Sequence, residues 1–109
     1  MADAIAKVRA KNGLNCQTCV RDLETALPGG RPRPHAGTNF YHESYSYQGK
    51  VIDPTAAQYV KPAKAGVWTE AELQQAGLKE AVETGVFTPE QHVKFLEGLQ
   101  RRWPDIAVE

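Results

Sequence analysis

The chain has 109 residues, with 13 Lys and Arg against 13 Asp and Glu, so its formal charge is zero. That length suits one domain with a small core, read as 1–109, with a first part over 1–60 and a helical part over 61–109. The basic residues form no stripe, which argues against nucleic acid as a partner. No apolar run approaches the ~18 residues of a membrane span, and no secretory signal opens the sequence.

In chain order, Ile5 and Val8 sit at helical spacing in Ala2 to Lys11, and Asn12-Gly13 ends that segment. A second helix is expected from the Asn15-Cys16-Gln17-Thr18-Cys19-Val20 run to Leu27. Val20, Leu23 and Leu27 form its apolar stripe, and Pro28-Gly29-Gly30 stops it. Cys16 then falls in the first turn, where backbone N–H groups lack partners and the dipole is positive. Such a place lowers a thiol's pKa and holds a thiolate ready.

Gly29 to Gly37 (GGRPRPHAG) reads as a Pro/Gly-rich loop carrying His35. A solvated loop histidine is the simplest reading of His35, and the role of catalytic base is its runner-up. Thr38 to Ser46 and Lys50 to Asp53 read as two antiparallel strands around Gln48-Gly49. Alternation puts Phe40, His42, Ser44 and Ser46 on one face. A two-residue loop sets Asp53 opposite Ser44 and diagonal to His42; a four-residue loop sets it opposite His42. Both registers bring His42 and Asp53 to the same side. After them Pro54 turns the chain away, and Lys61 to Gly66 is a linker.

Thr69-Glu70-Ala71-Glu72 and Thr88-Pro89-Glu90-Gln91 have the form of capping boxes. They predict helices over 70–84, with a break at Gly77, and over 89–102. Leu73, Leu78, Val82, Val93, Leu96, Leu99 and Trp103 are the expected core of this half. His92, among charged neighbours, is read as a surface residue, and no chemistry is expected from the half as a whole. The fold class expected is α+β, with an N-terminal cysteine helix on a short antiparallel sheet and helices at the C-terminal end.

A cysteine at a helix start, then a histidine on a strand and an Asp on the next, is a chain order used by thiol hydrolases. Cys16, His42 and Asp53 are therefore the candidate nucleophile, base and orienting acid. No cofactor and no metal are expected. Cys16, Cys19, His35 and His42 make a Cys2His2 set, but the histidine spacing exceeds the usual ligand spacing and leaves Asp53 unused. Two cysteines three apart on one helix suit a structural disulfide poorly. A thioredoxin-like site lacks its βαβ context.

The NCxxCV helix, the strand histidine and the VIDPTAxQY turn, over residues 13–60, resemble the papain-like fold of thiol hydrolases. They are most similar to the short papain-fold toxin domains at the C-terminal ends of bacterial polymorphic toxins, some of them glutamine deamidases. The resemblance implies a cysteine protease or deamidase acting on a protein substrate through Cys16, His42 and Asp53. It also implies a bacterial effector, delivered or secreted as part of a larger toxin, that acts in the target cytoplasm and is met by a cognate immunity protein. The papain pattern has a glutamine upstream of the cysteine for the oxyanion hole, and none is placed for that here. Asn15, Asn12 or Gln58 can substitute, or the N–H groups of Cys16 and Gln17 suffice. In papain-like peptidases with this C-x-x-C the second cysteine attacks, which makes Cys19 the alternative nucleophile. A different class of reading is a catalytically inactive protein-binding module of the same fold, with Tyr41, Tyr45 and Tyr47 as an exposed row on the opposite face of the strand.

Overall fold

In the computed structural model of the protein, which describes residues 1–36, 41–60 and 67–104, helix α1 (Ala2–Asn12) buries Ile5 and Val8. Helix α2 (Cys16–Ala26) starts at Asn15, whose side chain accepts a hydrogen bond from the Thr18 N–H. This cap satisfies one of the donors that every helix start leaves free. Its buried stripe is Cys16, Cys19, Val20 and Leu23.

Strands β1 (Arg31–Ala36), β2 (Tyr41–Tyr47), β3 (Lys50–Ile52) and β4 (Val86–Phe87) form one antiparallel sheet in the order β1-β2-β3-β4. The expected loop at 29–37 is thus corrected: Arg31–Ala36 is an edge strand. Pro32 and Pro34 are two apart, so their missing N–H groups share one direction, away from β2, which an edge tolerates. The same prolines blunt that edge against pairing with another chain. The parts of the expected first strand over 38–40, and of the linker over 61–66, lie outside the described residues.

The β2–β3 connection is the two-residue one, with Tyr47 opposite Lys50 and positive φ at Gln48 (50°) and Gly49 (77°). That is the geometry a tight hairpin needs. A 3-10 helix (Ala56–Val60) follows, then α3 (Glu70–Ala76), α4 (Lys79–Thr84) and α5 (Pro89–Arg102). Gly77, in the left-handed region, ends α3 as expected. Thr69 caps the Glu72 N–H, and Thr88 with Gln91 forms a complete capping box with Pro89 just inside. The arrangement is α+β, with five helices among the described residues, and no helix there is long and apolar enough to cross a membrane.

Val51 and Ile52, adjacent on β3, enter different cores because successive strand side chains point to opposite faces. Ile52 and Tyr45 pack with Ile5, Val8, Cys19, Val20 and Leu23 of the first two helices. Val51 joins Tyr59, Leu73, Leu78, Val82, Phe87, Phe95, Leu99 and Trp103 on the other face. Val93, expected in that core, is instead 51 % exposed, and His92 takes the inward position beside it. Helical rotation explains the exchange: 92, 95 and 99 share one stripe, and 93 falls off it.

Tyr45 is buried, which overturns the exposed tyrosine row. Its hydroxyl donates to the Leu27 carbonyl at 2.6 Å and accepts from the Gly30 N–H at 3.0 Å, joining the end of α2 to the start of β1. Replacing it with Phe leaves both groups short of a partner. Tyr45→Phe should cost about 1–3 kcal/mol in urea unfolding, and an unchanged midpoint would show that water substitutes freely there.

Candidate active site

Asp53 closes the β3 segment, its N–H donating to the Gly85 carbonyl at 2.7 Å, and Pro54 follows it. The sheet register pairs Tyr45 with Ile52, so Asp53 falls opposite Ser44 and diagonal to His42. His42 lies past the last β2–β3 pair. Its Nε2 is 2.7 Å from Asp53 Oδ2, and both residues have 0 % exposure. A carboxylate only accepts, so this nitrogen carries the proton, and Nδ1 is left to face other partners. The Tyr59 hydroxyl is 3.3 Å from Nδ1. The Cys16 side chain also hydrogen-bonds His42. The three residues picked out from the sequence therefore meet in space.

The electrostatics follow from burial and pairing. Burial pushes His42 down, but the Asp53 charge, the hydrogen bond to it and the contact with Cys16 outweigh that and raise it well above the ordinary imidazole value. Burial pushes Asp53 up, and His42 and the hydrogen bond from His92 reverse this, holding it well below the usual carboxylate range. The two cysteines differ in surroundings. Cys19 lies in the apolar cluster under α1 and α2, with its thiol directed at the Gly13 carbonyl 3.9 Å away. Burial and then the neighbouring Cys16 push Cys19 up to about 11.

Asn15 is occupied at Oδ1 as the helix cap. Gln58 sits half-buried on the 3-10 helix and hydrogen-bonds the Tyr59 hydroxyl. Tyr59 is raised by burial and then by Asp53, so it stays a neutral hydroxyl.

Two histidines stand where they were not expected. His92 is 2 % exposed, not on the surface, and its Nε2 is 2.8 Å from the same Asp53 Oδ2. The C-terminal half therefore does reach the site. The apolar spacing to Phe95 and Leu99 was the signal for this; the charged neighbours at 90, 94 and 97 obscured it. His35 is no loop residue. It pairs with His42 across β1 and β2, half-buried, with Nε2 2.9 Å from Ser44 Oγ and its ring 5.1 Å from that of His92. Thr55, with Oγ1 3.3 Å from Asp53 Oδ1, completes the cluster.

His42, Asp53 and His92 each offer a metal-ligating atom, all within 4.8 Å of one another. Both ring nitrogens, however, aim at one carboxylate oxygen at hydrogen-bond distance. An ion at ~2.0–2.2 Å from each ligand would need that oxygen to swing aside. The set is arranged as a hydrogen-bonded cluster.

The shifts have opposite consequences for stability. Asp53 is depressed, so it contributes stability above its ordinary value of 3.8 and loses it as pH falls further. His42 is raised, so its contribution is complete below 6.5 and is lost as pH rises through its elevated value. His35 is lowered from 6.5 to about 4 by burial and by His92 and His42, so its contribution is present above 6.5 and is lost as pH falls towards 4. In urea unfolding, the stability of wild type over His35→Asn should therefore shrink as pH falls from 6.5 to about 4. A difference independent of pH would show that His35 is protonated as easily in the fold as out of it.

Set against family models, curated proteins and solved structures, the chain matches none of them.

Proposed function

We propose that the protein is a cysteine-dependent hydrolase of protein amides, with Cys16 as nucleophile, His42 as general base and acid, and Asp53 as the group that orients His42. The observation that carries this reading is that His42 is engaged on both sides. Asp53 holds Nε2 at 2.7 Å, and Cys16 hydrogen-bonds the same imidazole. An orienting carboxylate fixes the tautomer and stabilises the imidazolium that forms.

In the proposed reaction the proton of the Cys16 thiol lies on His42 Nδ1, in keeping with the raised imidazole, and Sγ attacks the amide carbonyl carbon. The carbon–nitrogen bond then breaks, the imidazolium gives its proton to the leaving nitrogen, and a thioester remains. Water, deprotonated by His42, releases the acid and restores the thiol. The leaving group is an amine at a peptide bond, or ammonia at a glutamine side chain. The N–H groups of Cys16 and Gln17 have no intrahelical acceptor and are the donors offered to the oxyanion. Asn15, which caps the same helix, and Gln58, which hydrogen-bonds the Tyr59 hydroxyl, are the supporting residues.

The resemblance of NCxxCV and VIDPTAxQY to papain-like toxin domains supports the same chemistry. It extends the proposal to a toxin effector delivered into a target cell and neutralised by an immunity protein. A second reading has its own observation: Cys16 is 1 % exposed, and His42 and Asp53 are 0 % exposed. A site closed to this degree also fits a non-catalytic protein-binding module.

Iodoacetamide labelling of the folded protein at neutral pH, with mass mapping, separates the two. Alkylation should occur at Cys16 and not at Cys19, because burial disfavours the Cys19 thiolate. Two inert thiols would favour the binding module, and labelling at Cys19 alone would reassign the nucleophile. Asp53→Asn should keep the fold and slow Cys16 alkylation by about tenfold or more, since an amide cannot stabilise an imidazolium. Cys19→Ala should leave Cys16 reactive and cost about 1–2 kcal/mol of packing.

A further inference from the structure

Asp53 is held by more than the residue it orients. Oδ2 accepts from His42 Nε2 at 2.7 Å and from His92 Nε2 at 2.8 Å, and Oδ1 accepts from Thr55 Oγ1 at 3.3 Å. The two imidazoles thus converge on one oxygen of a fully buried carboxylate. His92 is delivered there by the start of α5. The Thr88–Gln91 capping box sets the first turn, the His92 N–H donates to the Thr88 carbonyl at 3.0 Å, and the Phe87 ring packs edge-on at 5.1 Å.

We propose that His92 is a positioning residue of the site, whose Nε2–H keeps Asp53 ionised and aimed at His42. A buried carboxylate next to an imidazolium can relieve its charge by taking the proton back, giving a neutral acid and a neutral imidazole. The His92 N–H donates to the same oxygen and binds it more strongly as part of a carboxylate than as part of a neutral acid. His92 therefore makes the neutral pair unfavourable, and His42 becomes the group whose charge changes. Two donors on one oxygen also fix the carboxylate in rotation, as a single donor does not. In agreement, the hydrogen bond from His92 contributes to holding Asp53 below the usual carboxylate range.

This inference rests on the reading of Cys16, His42 and Asp53 as a catalytic set. Its test uses His92→Gln and His92→Leu. A glutamine amide nitrogen reaches about as far from the backbone as imidazole Nε2 and still donates, whereas leucine fills space and does not. The rate of Cys16 alkylation by iodoacetamide at pH 7 is measured together with thermal stability and the proton NMR resonance of the His42 Nε2–H. His92→Leu should lower the rate by about tenfold or more and displace or broaden the resonance, and His92→Gln should restore both. Where His92→Leu fails to fold, His92→Asn takes its place, because its amide stops short of Asp53. A folded non-donor variant with the wild-type rate and resonance would overturn the proposal, as would a His92→Gln protein no better than the non-donor variant. If Cys16 in wild type reacts no faster than an ordinary thiol, the hydrolase reading fails instead. The His42 resonance in the same variants then still decides whether His92 positions Asp53.

Discussion

A carboxylate without solvent, in the middle of a small domain, is the constraint on which this structure turns. Asp53 has 0 % exposure and lies beside the apolar side chains of β3 and β4. Burying an ionised group is unfavourable unless hydrogen-bond donors replace the water. The donors come from β2, from the turn after β3 and from α5, at sequence distances of 11, 2 and 39 residues. One side chain thereby ties the N-terminal and C-terminal parts of the chain together. Removing a partner from such a cluster leaves a charge under-compensated, a loss of about 3–5 kcal/mol in buried pairs generally. The same requirement orients His42: with Nε2 committed to Asp53, Nδ1 is left for the Tyr59 hydroxyl and for Cys16.

Much of this was legible in the residues, and the exceptions have physical causes. Helical spacing located α1 and α2, the capping boxes located the segments that hold α3, α4 and α5, and the turn propensity of Gln48-Gly49 located the hairpin, because these are local effects that tertiary packing did not override. Alternation along β2 brought His42 and Asp53 to one side in either register, and the observed Tyr47–Lys50 pairing is the tighter of the two. Strand β1 was obscured by its prolines, which look like a loop unless the strand is known to lie at an edge. Strand β4, the two residues Val86–Phe87, is too short to show any alternation. His92 was obscured by composition. Its neighbours are charged, yet its own rotation around α5 is that of Phe95 and Leu99, and rotation decides burial.

The two cysteines, one helix turn apart, meet different surroundings. Cys19 points into the apolar cluster with Val20 and Leu23 and is raised by that burial. Cys16, at the start of the same helix, is just as hidden but meets an imidazole rather than hydrocarbon. Solvent exclusion strengthens every charge interaction around it. Under the proposed reading, an amide substrate would reach Cys16 only when the surrounding elements give way locally. Closure and the proposed catalysis are compatible in that case, the closed form being the one in which Cys16, His42 and Asp53 meet.

The central claim is that Cys16 and His42 act as one unit. It is tested most directly by the rate of Cys16 alkylation as a function of pH in wild type and in His42→Gln. The account predicts a wild-type protein that reacts readily at neutral pH and a variant whose curve is displaced to higher pH and is about tenfold or more slower near pH 7. Superimposable curves in two folded proteins would show that the thiol does not depend on the imidazole, and would contradict the account.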